Sequence, residues 1–111
     1  MQPEAAKLLQ DILDAASRIN GYLANKSRDD FIHNGELHDA VHWNFAIIGE
    51  AISQLHKIDP RIAESITDWK RIIGYRNQLI HGYGSINNSI TWDIIQTKLP
   101  RLEAQSRQLL H

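Results

Sequence analysis

The sequence predicts an all-α protein, a four- to five-helix antiparallel bundle, on three observations. Apolar residues recur at three- and four-residue spacing over long stretches. No stretch alternates apolar and polar residues as a half-buried strand would. Cap and stop residues punctuate the periodic stretches where helix ends need them.

The first helix rests on Ala5, Leu8, Leu9, Ile12, Ala15, Ala16, Ile19 and Leu23, which form one stripe. Pro3 suits a first turn by its fixed φ, and Glu4 by its charge at the positive helix end. Gly21, or the polar run from Asn25 to Asp30, ends it. A loop follows to about Gly35, folding Phe31 and Ile32 back onto the core. The second helix, from about Leu37 to Lys57, carries two adjoining stripes: Val41, Phe45, Ile48, Ile52 and Leu55, then Ala40, Trp43, Ile47 and Ala51. Two stripes predict burial around much of the circumference, as for a central helix or one that also meets another chain. Asp59-Pro60 stops it, because proline disfavours helix at the residue before it.

Arg61 to Ile66 is read as a turn or short helix. Thr67 is the expected N-cap of the next helix, with Asp68 in its first turn. Trp69, Ile72, Ile73, Arg76, Leu79 and Ile80 carry the period to His81, and Gly82 stands where a helix C-terminus favours glycine. Asn87-Asn88-Ser89 reads as a turn and cap. The last apolar stripe runs through Trp92, Ile95, Leu99, Leu102, Leu109 and Leu110, kinked or split at Pro100.

A length of 111 residues suits a single domain, 1–111. Hydrophobic residues at 42% and charged residues at 23% describe a globular chain rather than a disordered one. Twelve Lys and Arg against 13 Asp and Glu leave a net charge of −1, so a nucleic-acid site must be a local basic cleft, assembled if need be by oligomerisation. Cysteine is absent, which excludes disulfides and thiolate metal sites. No apolar run approaches the roughly 20 residues that span a bilayer, and Met1 to Lys7 lacks the plan of a signal peptide. A cytoplasmic location without membrane association is expected.

The chemistry concentrates in Arg76-Asn77-Gln78-Leu79-Ile80-His81-Gly82-Tyr83. A permanent cation, two amides, an imidazole and a phenol meet at one helix end. At 100° per residue, Arg76 and His81 stand about 140° apart and roughly 7.5 Å along the axis, so the long Arg76 side chain must reach toward a group that His81 also touches. The reaction that needs this set is transesterification of an RNA phosphodiester. A neutral imidazole takes the 2′-OH proton, and an imidazolium protonates the 5′-oxygen. A guanidinium binds the phosphate and stabilises the charge that develops on it. The nucleophile comes from RNA, so neither metal nor cofactor is required, and a 2′,3′-cyclic phosphate is the expected product. The competing reading is structural, because a histidine in a last turn before glycine is also ordinary helix-end chemistry.

Other residues carry two readings each. Glu50, between Ile48 and Ile52, either orients Arg76 or His81 or pairs with another arginine. His38 and His42 have the spacing of two helical metal ligands, and a third would come from His33, Asp39 or His56. They read equally as solvated histidines. Trp43, Trp69 and Trp92 lie on apolar stripes, which favours core or dimer packing over stacking on RNA bases. Lys70, Arg71 and Arg101 are candidate bases of an RNA cleft or ordinary surface charges.

The motif resembles the R-x4-H-x-Y signature of HepT toxins, a branch of the HEPN superfamily. Ala40-Val41 with Ile47-Ile48-Gly49-Glu50-Ala51 resembles the family's "AV…IGEA" helix. Trp69 with Ile72-Ile73-Gly74 resembles its lead-in, and Trp92-Asp93-Ile94-Ile95 with Leu99-Pro100 its final helix. The resemblance covers about residues 5 to 105 and departs from the pattern at Tyr75, where an aliphatic residue or Met is more usual. It implies a homodimer of the HEPN type whose facing motifs form one composite RNase site, with Arg76 and His81 catalytic and Asn77, Gln78 and Glu50 in support. It implies a toxin of a type VII-like toxin–antitoxin module. It further implies that Tyr83 receives AMP groups from a cognate MNT-type nucleotidyltransferase antitoxin, whose added phosphates would repel RNA. The alternative is a non-catalytic partner or substrate-binding subunit of a small nucleotidyltransferase.

Overall fold

The computed structural model describes residues 1–111 as seven α-helices and one 3-10 turn, without strands. The all-α expectation holds, whereas the expected count of four to five helices is too low. Five long helices are joined by two short ones: α1 (Pro3–Leu23), α2 (Arg28–Ile32), α3 (Gly35–Ile58), α4 (Pro60–Glu64), α5 (Trp69–His81), α6 (Asn88–Thr97) and α7 (Leu99–Leu110). The stretch between α1 and α3 is not a plain loop. Ser27 and Asp30 form a reciprocal capping box that starts α2, and Phe31 is fully buried from it.

Packing follows the stripes. Helix α3 is the spine, with α1 along one side and α5 along the other. Both neighbours run antiparallel to it: Arg18 of α1 meets Asn44 early in α3, while His56 late in α3 stacks on Trp69 at the start of α5. The core joins Leu9, Ile12 and Ile19 to Val41, Ile48, Ile52 and Leu55 of α3, with Phe31, Ile66, Ile95 and Leu99 closing its ends. Three polar residues, Asn44, Thr91 and Ser106, are buried with it. Asn44 is 2% exposed, yet its amide is satisfied, accepting from Arg18 Nε at 2.7 Å and donating to the Ala40 carbonyl at 2.9 Å.

Only one of the two predicted α3 stripes is closed. In the second, Ala51 is buried and Ile47 half-buried, but Trp43 is 68% exposed and stands clear of the core. Trp69 and Trp92 do pack, against His56 and Phe31 respectively. Pro100 splits the last helix at the α6–α7 junction rather than kinking it. No helix is long and apolar enough to cross a membrane.

The start of α5 departs from the expected cap. Thr67 does not cap it: the Thr67 hydroxyl accepts from Gln105 Nε2 at 2.7 Å, and its backbone N–H donates to Gln105 Oε1 at 2.9 Å. Asp68 precedes the helix in the left-handed region at φ 63°. Its carboxylate turns away to accept from Arg101 at 2.8 Å and Lys98 at 3.3 Å. Those two cations, with the Lys98 hydrogen bond foremost, hold its pKa below the ordinary carboxylate value.

Candidate active site

Helix α5 brings the motif to the open side of α3. Arg76 lies against α3, and its Nη2 meets Glu50 Oε2 at 3.0 Å. Its Nη1 donates to Asn77 Oδ1 at 3.0 Å. The arginine with which Glu50 pairs is thus Arg76. Glu50 also accepts from Gln54 at 3.0 Å, which fixes the carboxylate one turn further along α3. The Arg76 Nε is sealed from solvent without any hydrogen-bond partner.

Arg76 and Glu50 line an open cleft of about 680 Å3 between α1, α3 and α5, whose apolar wall includes Leu8, Trp43, Ile47 and Ile80. Lys7 lies on the opposite wall, but its charge is paired with Asp11 at 3.0 Å.

His81 is the last residue of α5, exposed and free of side-chain hydrogen bonds, on a different face from Arg76. One chain therefore joins Arg76, Glu50 and Asn77 but does not bring His81 to them. Gln78 serves neither. Its amide donates to Ser85 Oγ at 3.1 Å, and Ser85 Oγ donates to the Gly82 carbonyl at 2.7 Å, bracing the 3-10 turn Tyr83–Ser85. Tyr83 stands out from that turn, 76% exposed. Gly82 has φ −134°, outside the left-handed region, so the turn does not depend on glycine's conformational freedom there.

His38 and His42 stand beside this end of the motif. With Trp43, Leu79, Ile80 and Tyr83 they line a second groove of about 460 Å3. They form a hydrogen-bonded chain through Asn88. His38 Nε2 donates to the Phe31 carbonyl at 2.6 Å, its Nδ1 accepts from Asn88 Nδ2 at 3.3 Å, and Asn88 Oδ1 accepts from His42 Nε2 at 2.9 Å. Both His38 nitrogens are thus spent on the fold, which disfavours the two-histidine metal reading. Of the candidate third ligands, His33 bonds the Asp29 carbonyl and His56 lies between Glu64 and Trp69, while Asp39 lines this same groove. Burial pushes the His42 pKa below the usual imidazole value of 6.5, against the opposing pull of the Asn88 bond.

Tyr75 takes the place left open by the departure from the family pattern. It packs edge-on against Phe45 at 5.6 Å, and its hydroxyl bonds that of buried Thr91. Burial raises its pKa above 10.0. The basic candidates lie away from the Arg76 cleft. Lys70 sits 5.5 Å above the Trp69 ring, Arg101 pairs with Asp68, and Arg71 lines a groove with Tyr75. Asn44 and Ser85 carry no sequence signal, and Asn88 reads there only as part of a turn and cap, because their partners are distant or depend on the helix end taking this turn.

Comparison with known proteins agrees with the motif. The family model "Ribonuclease HepT-like" matches residues 12–109. A protein of Caldanaerobacter subterraneus subsp. tengcongensis named "Putative RNase" is 34% identical over 109 residues, covering 98% of this chain and 93% of that one. A Methanocaldococcus jannaschii protein of the same description is 31% identical over 97 residues, covering 87% and 88%. A "Probable ribonuclease HepT" of Thermococcus cleftensis is 26% identical over 101 residues, covering 91% of each chain. No solved structure matches the chain at a significant level. With its motif on α5 and a family match across nearly its whole length, the chain belongs to the ribonuclease HepT-like family.

Proposed function

We propose that the chain is a metal-independent endoribonuclease, the toxin of a type VII-like toxin–antitoxin module, whose site is completed by a second copy of the chain. The observation that carries this reading is the guanidinium of Arg76, held by Glu50 and Asn77 at the edge of an open cleft. An unengaged imidazole and an exposed phenol follow it on the same helix end.

Arg76 binds the scissile phosphate and stabilises charge as the 2′-oxygen attacks phosphorus. His81 takes the 2′-OH proton, and an imidazolium, its own or the partner copy's, returns a proton to the departing 5′-oxygen. The bond formed is 2′-O–P and the bond broken is P–5′-O, leaving a 2′,3′-cyclic phosphate. Because His81 and Arg76 point apart in one chain, two copies facing each other supply the convergent set. Support for that pairing comes from the apolar strip beside Arg76, where Trp43 and Ile80 are 68% and 43% exposed. The exposure of Tyr83 suits its modification with AMP by an MNT-type nucleotidyltransferase. The added phosphate would place negative charge where RNA must enter.

The test is incubation of purified, unmodified protein with total RNA in excess EDTA, beside an Arg76→Ala/His81→Ala variant. Cleavage by the wild type alone, leaving cyclic-phosphate ends, is expected. Absence of cleavage, with mass spectrometry confirming an unmodified Tyr83, overturns the assignment in favour of a partner subunit of a nucleotidyltransferase.

A further inference from the structure

Helices α3 and α5 cross at Gly49, and the point of crossing is the stem of Arg76. A Cβ added at Gly49 would overlap the Arg76 Cβ, lie 2.8 Å from its Cγ and 3.3 Å from the Ile72 carbonyl oxygen. The first obstacle is stiff, because a Cβ moves only with its backbone. Any side chain at position 49 therefore has to push α5 away from α3 or turn Arg76 out of its seat. Gly49 is buried inside the helix, where glycine is otherwise unfavourable.

The seat also sets which edge of the guanidinium is usable. With the stem against Gly49, the Nε–H is sealed from solvent and meets no acceptor. Nη1 donates to Asn77 and Nη2 is ion-paired with Glu50 at 3.0 Å, and at least one N–H on each remains available.

We propose that Gly49 is a positioning residue for Arg76. Its missing side chain seats the arginine stem on α3, so that the guanidinium meets a phosphodiester end-on through Nη1 and Nη2 rather than side-on through Nε. The proposal rests on the assignment of Arg76 as phosphate binder. It adds a residue that touches no substrate yet decides where that cation stands.

Two measurements test it. The first is RNA cleavage by Gly49→Ala, resolved into kcat and KM. A displacement of Arg76 by about an ångström is expected to cost on the order of a hundredfold in kcat, with KM changed by only a few-fold. The second needs no activity: thermal melts of Gly49→Ala, Arg76→Gly and the double variant. Arg76→Gly removes the obstructing Cβ, so Gly49→Ala should lower Tm clearly in the wild-type background and much less in the Arg76→Gly background. Wild-type kcat in a folded Gly49→Ala protein overturns the positioning role. An equal Tm loss in both backgrounds overturns the seat itself, and still does so if Gly49→Ala folds too poorly for kinetics. If no form of the protein cleaves RNA, the ribonuclease assignment fails, while the melts independently decide whether Gly49 seats Arg76.

Discussion

Acidification should loosen this fold through His42, and the structure fixes both the sign and the window. Burial depresses the His42 pKa in the folded chain, while in the unfolded chain it stays near 6.5. As pH falls through 6.5, the unfolded state takes up a proton that the folded state still refuses. Stability is therefore whole above 6.5 and is lost below it, until pH reaches the lower folded value. One proton caps the slope at about 1.4 kcal/mol per pH unit. The ring is half-buried, so solvent screening keeps the slope below that cap. For a domain near 100 residues, about 1 kcal/mol corresponds to roughly 4–8 °C in Tm. A fall of a few degrees per pH unit is expected.

The groups facing His42 are the His38 ring stacked at 6.1 Å, Asn88, the Asp39 carboxylate and Tyr83 across the groove. Melts in matched buffers from pH 7.5 to 5.0 would compare the wild type with His42→Gln, which keeps an N–H for Asn88 Oδ1 but cannot titrate. The variant should lose less Tm on acidification. Asn88→Asp should reverse the local trend, because a carboxylate there raises the imidazole pKa and makes the protonated form the better-held one. Identical pH profiles for the wild type and His42→Gln would refute the reasoning.

Two further outcomes are expected. Trp43→Asp should leave the fold of one chain nearly as stable, within about 0.5 kcal/mol for an exposed site, yet abolish both self-association and RNA cleavage. Sedimentation and cleavage assays check this, and a monomeric, active wild type would sink the composite site. Tyr75→Phe should cost about 1 kcal/mol, the low end for an orphaned buried hydroxyl, since Thr91 retains a long contact to the Asn87 carbonyl at 3.4 Å. In urea titrations, Tyr75→Phe/Thr91→Val should be less destabilised than the sum of the single variants, and strict additivity would contradict the assigned pair.

The long helices were legible because their core stripes repeat at the helical period, and Pro60 and Pro100 fall at the boundaries where α4 and α7 begin. Helix α2 was not, although Ser27 and Asp30 stand three apart as a capping pair does; five residues are too few for periodicity to register. Thr67 and Asp68 carry good local cap chemistry, but partners on α7 outcompete the helix for both side chains. Apolar spacing cannot tell a closed face from an open one, so Trp43 reads like Ile48 in sequence and differs only once α1 and α5 are in place. The motif named the chemical groups of the site. The arginine that Glu50 meets, and the contact at Gly49, depend on how α3 crosses α5, a distance that no local pattern carries.

The ties at the start of α5 bear on when the site can exist. The residues that hold Thr67 and Asp68 lie 30 to 38 positions further along the chain. During synthesis, the motif helix leaves the ribosome well before Lys98, Arg101 and Gln105, and until they follow, its first turn lacks these ties. The geometry presented by Arg76 and His81 is therefore a late product of folding. A nascent or truncated chain that already contains the complete R-x4-H-x-Y motif would hold it on a helix not yet fastened at its leading end.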